Sequence, residues 1–250
     1  MLKINKVGTE TLNPLQCQSK LWPKSVKGMI LIVPFYFMDE VHMNPVSFKQ
    51  RICSVIIDCA ADFQSIYVDY EYLIYSEGFK IQPYYIIAAM AGNYKHLTGV
   101  NSAILPFDFF KKCLNGTLTE NDFNFVKIGE SENFVKGVVR NKILALPSLK
   151  NLLYEKLIAE EDFVQGSITC SLATANNTIT IGFEDRRNAR PKSLLRGNML
   201  DSAKAVGISL VLRRINGSKK FDTIIQGDAQ GFIEKFPNLY ACDDSQQIDD

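Results

Sequence analysis

The sequence has few of the residues and motifs that mark common enzyme sites. It contains two histidines, His42 and His96, and one tryptophan. Its six cysteines are scattered without a Cys-x-x-Cys pair, which predicts reduced, mostly buried thiols. The phosphate-loop, dinucleotide-binding, serine-hydrolase and zinc-protease motifs are missing. We therefore expect a protein that is not an enzyme, with no catalytic residue, no metal and no cofactor.

Long apolar runs are missing too. No stretch reaches the ~18 residues that cross a membrane, and Pro34 interrupts the apolar segment Met29–Met38. The N-terminus lacks the order of charged, apolar and small residues that is typical of a signal peptide. With 250 residues, 46% of them hydrophobic and 22% charged, the chain can bury a sizeable core. These features predict a globular protein in a cytosolic setting.

Alternating apolar and polar residues predict strands in the C-terminal half. Asn176-Asn177 and Asn216-Gly217 are typical turn sequences, so two hairpins are expected there. A helical face is predicted between the hairpins, because apolar residues recur at helical spacing. The predicted elements are a strand at Phe163–Ala173, a strand at Thr178–Phe183, a helix at Leu194–Val206, a strand at Ile208–Ile215 and a strand at Phe221–Ile225.

The N-terminal half mixes helices and strands. Helices are predicted at 45–63 and 148–158, and strands at Ser65–Tyr75 and Phe134–Leu144. Together the elements predict a single α+β domain with a mixed or antiparallel sheet packed by a few helices. The expected organisation is a flexible basic arm at residues 1–27, a globular domain at 28–236 and an acidic tail at 237–250.

Positive charge is concentrated in residues 186–220. This stretch has ten basic residues and one acid, Asp201, for a net charge of +9, whereas the rest of the chain carries −8. Such a stretch favours phosphate on nucleic acid or on anionic lipid, although a solvated surface explains it equally well. The predicted phosphate, lipid or RNA contacts are Arg186, Arg187, Arg190, Lys192, Arg196, Arg213, Arg214, Lys219 and Lys220.

Two further segments are candidate contact surfaces. In the arm, Trp22 lies among lysines, and this combination suits an anionic membrane surface, although a mobile terminus whose Trp packs on the body is the simpler alternative. The segment Leu105–Phe110 is aromatic and is either a buried anchor or a self-association loop. The residues concerned are Lys20, Trp22, Lys24 and Lys27 in the arm, and Phe107, Phe109 and Phe110 in the aromatic segment.

The order of elements resembles that of rhabdovirus matrix proteins of the vesicular stomatitis type. The residues similar to that family's Pro-aromatic-Tyr-x-Ile-x-Ala-x-x-Gly segment are Pro83, Tyr84, Tyr85, Ile87, Ala89 and Gly92. The family's later strand, short helix and hairpin are similar to three segments of this chain: Phe163–Leu172, Met199–Gly207 and Ile208–Ile225. The resemblance covers about residues 29–226, and the family's Pro-Pro-x-Tyr budding motif is missing from this chain.

The resemblance implies a viral structural protein. A matrix protein self-associates and links the ribonucleoprotein to the inner face of the envelope during assembly and budding. The implied partners are viral nucleocapsid or RNA, the anionic inner leaflet and other copies of the chain. The implied locations are the virion beneath the envelope, and the cytoplasm, membrane surface and nucleus of the host.

Two alternatives stay open. The hairpin Ser167–Phe183 with its basic exit is similar to the nucleic-acid-binding core of plant-virus movement proteins, which favours a movement-type or other nucleic-acid-binding protein. The run Glu184-Asp185-Arg186-Arg187 could belong to a metal-dependent nuclease. Such a site needs several acids to hold metal ions, and the sequence does not bring them together. Nuclease activity is therefore the third hypothesis.

Overall fold

A computed structural model of the protein describes residues 46–185 and 188–241. These residues belong to one compact unit, 44–250. The helices are α1 (Phe48–Asp58), α2 (Ala60–Phe63), α3 (Asn93–Thr98), α4 (Pro106–Leu114), α5 (Glu132–Ala145), α6 (Leu149–Leu152) and α7 (Gln230–Lys235). The strands are β1 (Tyr70–Tyr75), β2 (Tyr84–Ile87), β3 (Ile158–Gln165), β4 (Ile168–Ala175), β5 (Ile179–Glu184), β6 (Asn188–Arg196), β7 (Val206–Gly207), β8 (Leu210–Ile215) and β9 (Thr223–Gly227). None of the described helices is long and apolar enough to span a membrane.

The two longest helices begin at serine caps. At the start of α1, Ser47 Oγ accepts from the Gln50 amide at 2.9 Å, and the Gln50 side chain accepts from the Ser47 amide at 2.8 Å. At the start of α5, Ser131 Oγ accepts from the Phe134 amide. Each cap satisfies a backbone donor that has no partner inside the helix, so short local sequences fix where these helices begin.

The strands form one mixed sheet in the order β7-β3-β4-β5-β6-β2-β1-β8-β9. Its pairs are antiparallel except for β2 and β6, which run parallel. The hairpin β8–β9 turns at Asn216-Gly217, where the sequence predicts it. The predicted α+β class, with a mixed sheet and a few packed helices, is confirmed.

The sheet curls strongly. Tyr85 on β2 donates a hydrogen bond of 2.7 Å to Glu161 on β3. Four strand spacings separate these strands in the sheet order, which is about 19 Å in a flat sheet. The stretch 206–215 explains the curl, because its first residues pair with β3 as β7 and its later residues pair with β1 as β8.

The main core lies between the helices and one face of this sheet. Its aromatic centre combines Phe63, Tyr94 and Phe110, with ring centroids 5.0 to 5.8 Å apart. A smaller cluster on the opposite face packs Leu73 and Leu212 beneath Phe232 of α7. Buried rings at these spacings contribute edge-to-face contacts in addition to apolar burial.

Several sequence predictions of local structure are wrong. The predicted helix at 194–206 is the end of β6 followed by a loop, because Leu194 and Leu195 pair with β5. The buried carboxylate of Glu160 accepts from the Asp201 amide at 2.8 Å and holds that loop. The predicted strand at Phe134–Leu144 lies within α5, and the predicted strand at Ser65–Tyr75 is regular only from Tyr70.

Candidate active site

A cleft of about 750 Å³ opens between α3, α5 and the loop 124–130. Its polar lining includes Lys95 and His96 from α3, Lys127 and Glu130 from the loop, and Lys142 from α5. Valines from α5, from the loop and from the residues just after α3 form its apolar wall. This combination of a size suited to a small ligand, apolar walls and a few converging polar groups is typical of a ligand site.

Backbone hydrogen bonds fix the loop against the end of α3. Asn101 and Asn124 exchange amide-to-carbonyl bonds of 3.0 and 2.7 Å, and the Asn101 side chain donates to the Val126 carbonyl at 2.8 Å. Gly99 ends α3 with φ of +75°, a conformation that other residues adopt at a cost. The cleft is therefore held in shape by its own backbone.

Lys142 is the most perturbed charged group of the cleft. Its Nζ donates to the carbonyl of His96 at 3.1 Å, near the C-terminal end of α3, where backbone carbonyls favour a cation. Burial, followed by the neighbouring charge of Lys127, lowers the pKa of Lys142 to about 8. An ammonium with this pKa is still mostly charged at neutral pH, but it is weakly solvated and free to act on a substrate anion.

The other two lysines of the cleft have structural partners. Lys95 Nζ donates to the carbonyls of Ser102 and Ile104 at 2.6 and 2.7 Å, and burial lowers its pKa. Lys127 pairs with Glu130 at 2.7 Å. Lys142 differs from both, because its hydrogen-bond partner is a single carbonyl, that of His96, and it forms no ion pair with a described residue.

His96 lines the same cleft as Lys142, which bonds to its backbone carbonyl, and His96 is exposed to solvent. An imidazole transfers protons near neutral pH, and a neighbouring ammonium stabilises developing negative charge. Within residues 46–185 and 188–241, no three histidine, cysteine, aspartate or glutamate side chains are grouped so that they could hold a metal ion. Besides Lys95, Lys127 and Glu130, which have partners of their own, the cleft offers the imidazole of His96 and the cation of Lys142.

The structure spreads the predicted basic contacts over several places. Arg190, Lys192 and Arg196 are exposed along β6, and Lys219 and Lys220 are exposed at the β8–β9 turn. Arg213 and Arg214 lie on β8 with different partners. Arg186 and Arg187 lie outside the described residues. None of the described members of this set lines the cleft between α3, α5 and the loop 124–130, and the role of the whole set in phosphate, lipid or RNA contact stays a prediction.

The predicted self-association residues divide between core and surface. Phe109 and Phe110 are buried in α4, where Phe110 contacts Phe63 and Tyr94, so these two rings belong to the core. Phe107 is 65% exposed, and self-association through it stays a prediction. The proposed membrane arm, with Lys20, Trp22, Lys24 and Lys27, lies outside the described residues.

Sequence reasoning missed His96, Lys142 and Gly99. The available signal was that His96 is one of two histidines and lies between Gly92 and Gly99, in the run Gly-Asn-Tyr-Lys-His-Leu-Thr-Gly. No serine or cysteine lies beside it in the sequence, so the sequence predicts no nucleophile and base there. The partner that matters, Lys142, is 46 residues away in the sequence.

One family of known proteins matches this chain. The model of the family described as phage-Barnase-EndoU-ColicinE5/D-RelE like nuclease4, PBECR4, matches residues 55–226. No curated protein and no solved structure matches. The matched range includes the whole cleft and every strand except the last residue of β9.

This match overturns the interpretation of the chain as a rhabdovirus matrix protein. The structural role in assembly and budding is wrong, since the matching family is one of nucleases. The prediction that the protein is not an enzyme is wrong for the same reason, and the alternative of a nucleic-acid-binding protein is closer. Because the match spans more than two thirds of its length, the chain belongs to the family described as phage-Barnase-EndoU-ColicinE5/D-RelE like nuclease4.

Proposed function

We propose that this protein is a nuclease that cleaves RNA in the cleft between α3, α5 and the loop 124–130. The observation that carries the proposal is that Lys142, with a pKa lowered to about 8, is held 3.1 Å from the carbonyl of His96 in one cleft. Membership of a nuclease family supports phosphodiester cleavage as the reaction class.

RNA is the substrate for which these two groups suffice. Its 2′-hydroxyl is a nucleophile already placed beside the phosphorus atom, so the protein has only to move a proton and stabilise charge. In the proposed step, His96 removes the 2′-hydroxyl proton and the 2′-oxygen attacks phosphorus. The bond to the 5′-oxygen breaks, and that oxygen leaves as a hydroxyl after taking a proton from water. The other product ends in a 2′,3′-cyclic phosphate.

Lys142 acts on the phosphate in this scheme. As the 2′-oxygen attacks, negative charge builds up on the non-bridging oxygens, and the Lys142 ammonium balances it from inside the cleft. Burial strengthens this effect, since water screens the charge less there. The apolar wall, with Val100, Val126 and Val138, offers a surface for the nucleobase.

The test uses a labelled mixed-sequence RNA and a DNA of the same sequence. Purified protein is expected to cut the RNA, to leave the DNA intact, and to produce fragments that end in 2′,3′-cyclic phosphate. A control chain with Lys136→Met, on the exposed side of α5, is expected to cut like the wild type. Cleavage of DNA at a similar rate, or RNA products with simple 3′-hydroxyl ends, would refute the proposed chemistry.

A further inference from the structure

Strand β8 carries two adjacent arginines with different surroundings. Arg214 is fully engaged: its Nε donates to Glu71 at 2.7 Å, one Nη donates to the Lys219 carbonyl at 2.9 Å, and its guanidinium lies over the Phe221 ring. Arg214 therefore has a structural role, because it ties β8 to β1 and to the β8–β9 turn.

Arg213 has no such partners. Its guanidinium lies 4.5 Å from the centre of the Tyr70 ring, and it forms no ion pair with the residues of 46–185 and 188–241. Its Nε is buried and has no acceptor within that part of the chain. Within the described residues, Arg213 therefore has a positive charge without a carboxylate partner and a buried donor without an acceptor.

Tyr72 lies directly opposite Arg213 on β1, so both side chains share one face of the sheet. It is fully buried, and its hydroxyl also has no hydrogen-bond partner among the residues that the structure describes. Burial raises the pKa of Tyr72 far above its usual range, and the nearby hydroxyl of Tyr154 raises it further. Tyr72 therefore keeps its proton and can act as a donor.

On this face, two donors have no acceptor and one charge has no ion pair among the described residues. This combination favours a ligand that is negative and that only accepts hydrogen bonds. Phosphate has this chemistry, and the planar guanidinium suits its oxygens. We propose that Arg213 and Tyr72 form a phosphate-binding position separate from the His96 cleft, occupied by a phosphate of the nucleic-acid strand. That the phosphate belongs to a nucleic-acid strand rests on the proposed function. That the position binds phosphate does not.

The test follows the Nε–H signals of arginine by NMR on the full chain labelled with ¹⁵N. Arg213→Lys identifies the Arg213 signal by its loss, and Arg214 serves as the internal control. Two probes are added at constant ionic strength: sodium phosphate, and a short single-stranded DNA that has no 2′-hydroxyl. The DNA is expected to move the Arg213 signal at lower concentration than phosphate does, with the Arg214 signal unchanged.

Tyr72→Phe removes only the hydroxyl. We expect it to weaken binding of the DNA about tenfold, which is the usual effect of one hydrogen bond to a charged group. In phosphate-free buffer the melting temperature of Tyr72→Phe should be equal to or above that of the wild type, because an unpaired buried hydroxyl is lost.

The outcomes separate this inference from the proposed function. An Arg213 signal that neither probe moves, or Arg213 and Arg214 signals that move equally, overturns the inference. A signal that moves with phosphate but not with DNA overturns the assignment to a strand. If DNA binds through Arg213 and the protein does not cut RNA, the proposed function fails and this inference stands.

Discussion

Positive charge occurs in two contrasting regions of the molecule. In the His96 cleft, Lys142 is partly buried, its pKa falls to about 8, and it faces a helix carbonyl. Along residues 188–220, most charges are exposed or lie near acids: Lys192 lies 3.8 Å from Glu184, and Lys219 is exposed. Charge density in a sequence therefore locates surface that can contact phosphate, whereas burial changes the pKa of one cation, Lys142, to which we assign a role in cleavage.

Removing the imidazole should have the largest effect on cleavage. His96→Gln is expected to lower kcat by about 10²- to 10⁴-fold, the usual contribution of one proton-transfer group. The melting temperature should stay unchanged, because the side chain is exposed. Kinetics and thermal unfolding measured on the same preparation check both expectations. A kcat within threefold of the wild type would remove His96 from the mechanism.

Removing the cation of the cleft should have the next largest effect. Lys142→Met is expected to lower kcat about 10²-fold, in line with the loss of one group that stabilises transition-state charge. Lys136→Met provides the matched control, since Lys136 lies on the same helix and pairs with Glu132 at 2.8 Å. Equal losses in the two variants would mean that general charge, not the position of Lys142, supports cleavage.

The pH dependence of kcat/KM should show the titration of Lys142. Lys142 is active when protonated and has a pKa lowered to about 8, so kcat/KM should fall as pH rises above about 8. Lys142→Arg keeps its charge at all these pH values, and its profile should stay flat where the wild type declines. A wild-type profile that is level up to pH 10 would contradict the assigned role.

Two glycines with similar φ, Gly99 and Gly116, separate the effect of backbone strain from the effect of displacing Lys142. An added Cβ at Gly99, where φ is +75°, would lie 2.6 Å from Lys142 Cδ, so Gly99→Ala must displace that side chain. Gly116 has a similar φ of +66° with open space around it. Both alanine variants should lose about 1 kcal/mol of stability from backbone strain. Only Gly99→Ala should also lower kcat, by about tenfold or more, as expected for a misplaced group.

The smallest effect is expected in the basic stretch. Lys219→Glu with Lys220→Glu should raise KM for RNA a few-fold and leave kcat unchanged, since both residues are exposed at the β8–β9 turn. If both lysines contact phosphates of a single strand, the slope of log affinity against log salt should fall by about 1.4. A large fall in kcat would instead place this turn at the reaction centre.

Elements whose formation depends on a short stretch of sequence were predicted correctly. The helix predicted at 45–63, which the structure has as α1 and α2, follows from an apolar stripe, and the hairpin around Asn216-Gly217 follows from a turn dipeptide. The helix predicted at 194–206 was wrong because pairing with β5 outweighs helical spacing. The strand predicted at Phe134–Leu144 was wrong because its β-branched residues, Val135 and Val139 among them, also recur at helical spacing.

The site was harder to predict for a different reason. His96 meets Lys142 only after α3 and α5 pack together, across 46 residues of sequence. The pKa of Lys142 is lowered mainly by burial, and the sequence pattern around Lys142 does not predict how deeply it is buried. The basic stretch, in contrast, is visible in the sequence because it needs no folding to be counted.

A DNA strand that contains a single ribonucleotide tests whether the cleft requires a 2′-hydroxyl in its substrate. If the cleft directs a 2′-hydroxyl at the adjacent phosphorus, the wild type should cut only on the 3′ side of that ribonucleotide and leave a 2′,3′-cyclic phosphate. His96→Gln should cut the same strand at least about 100-fold more slowly. Cuts at deoxyribonucleotide positions, or equal cutting by wild type and His96→Gln, would contradict the account.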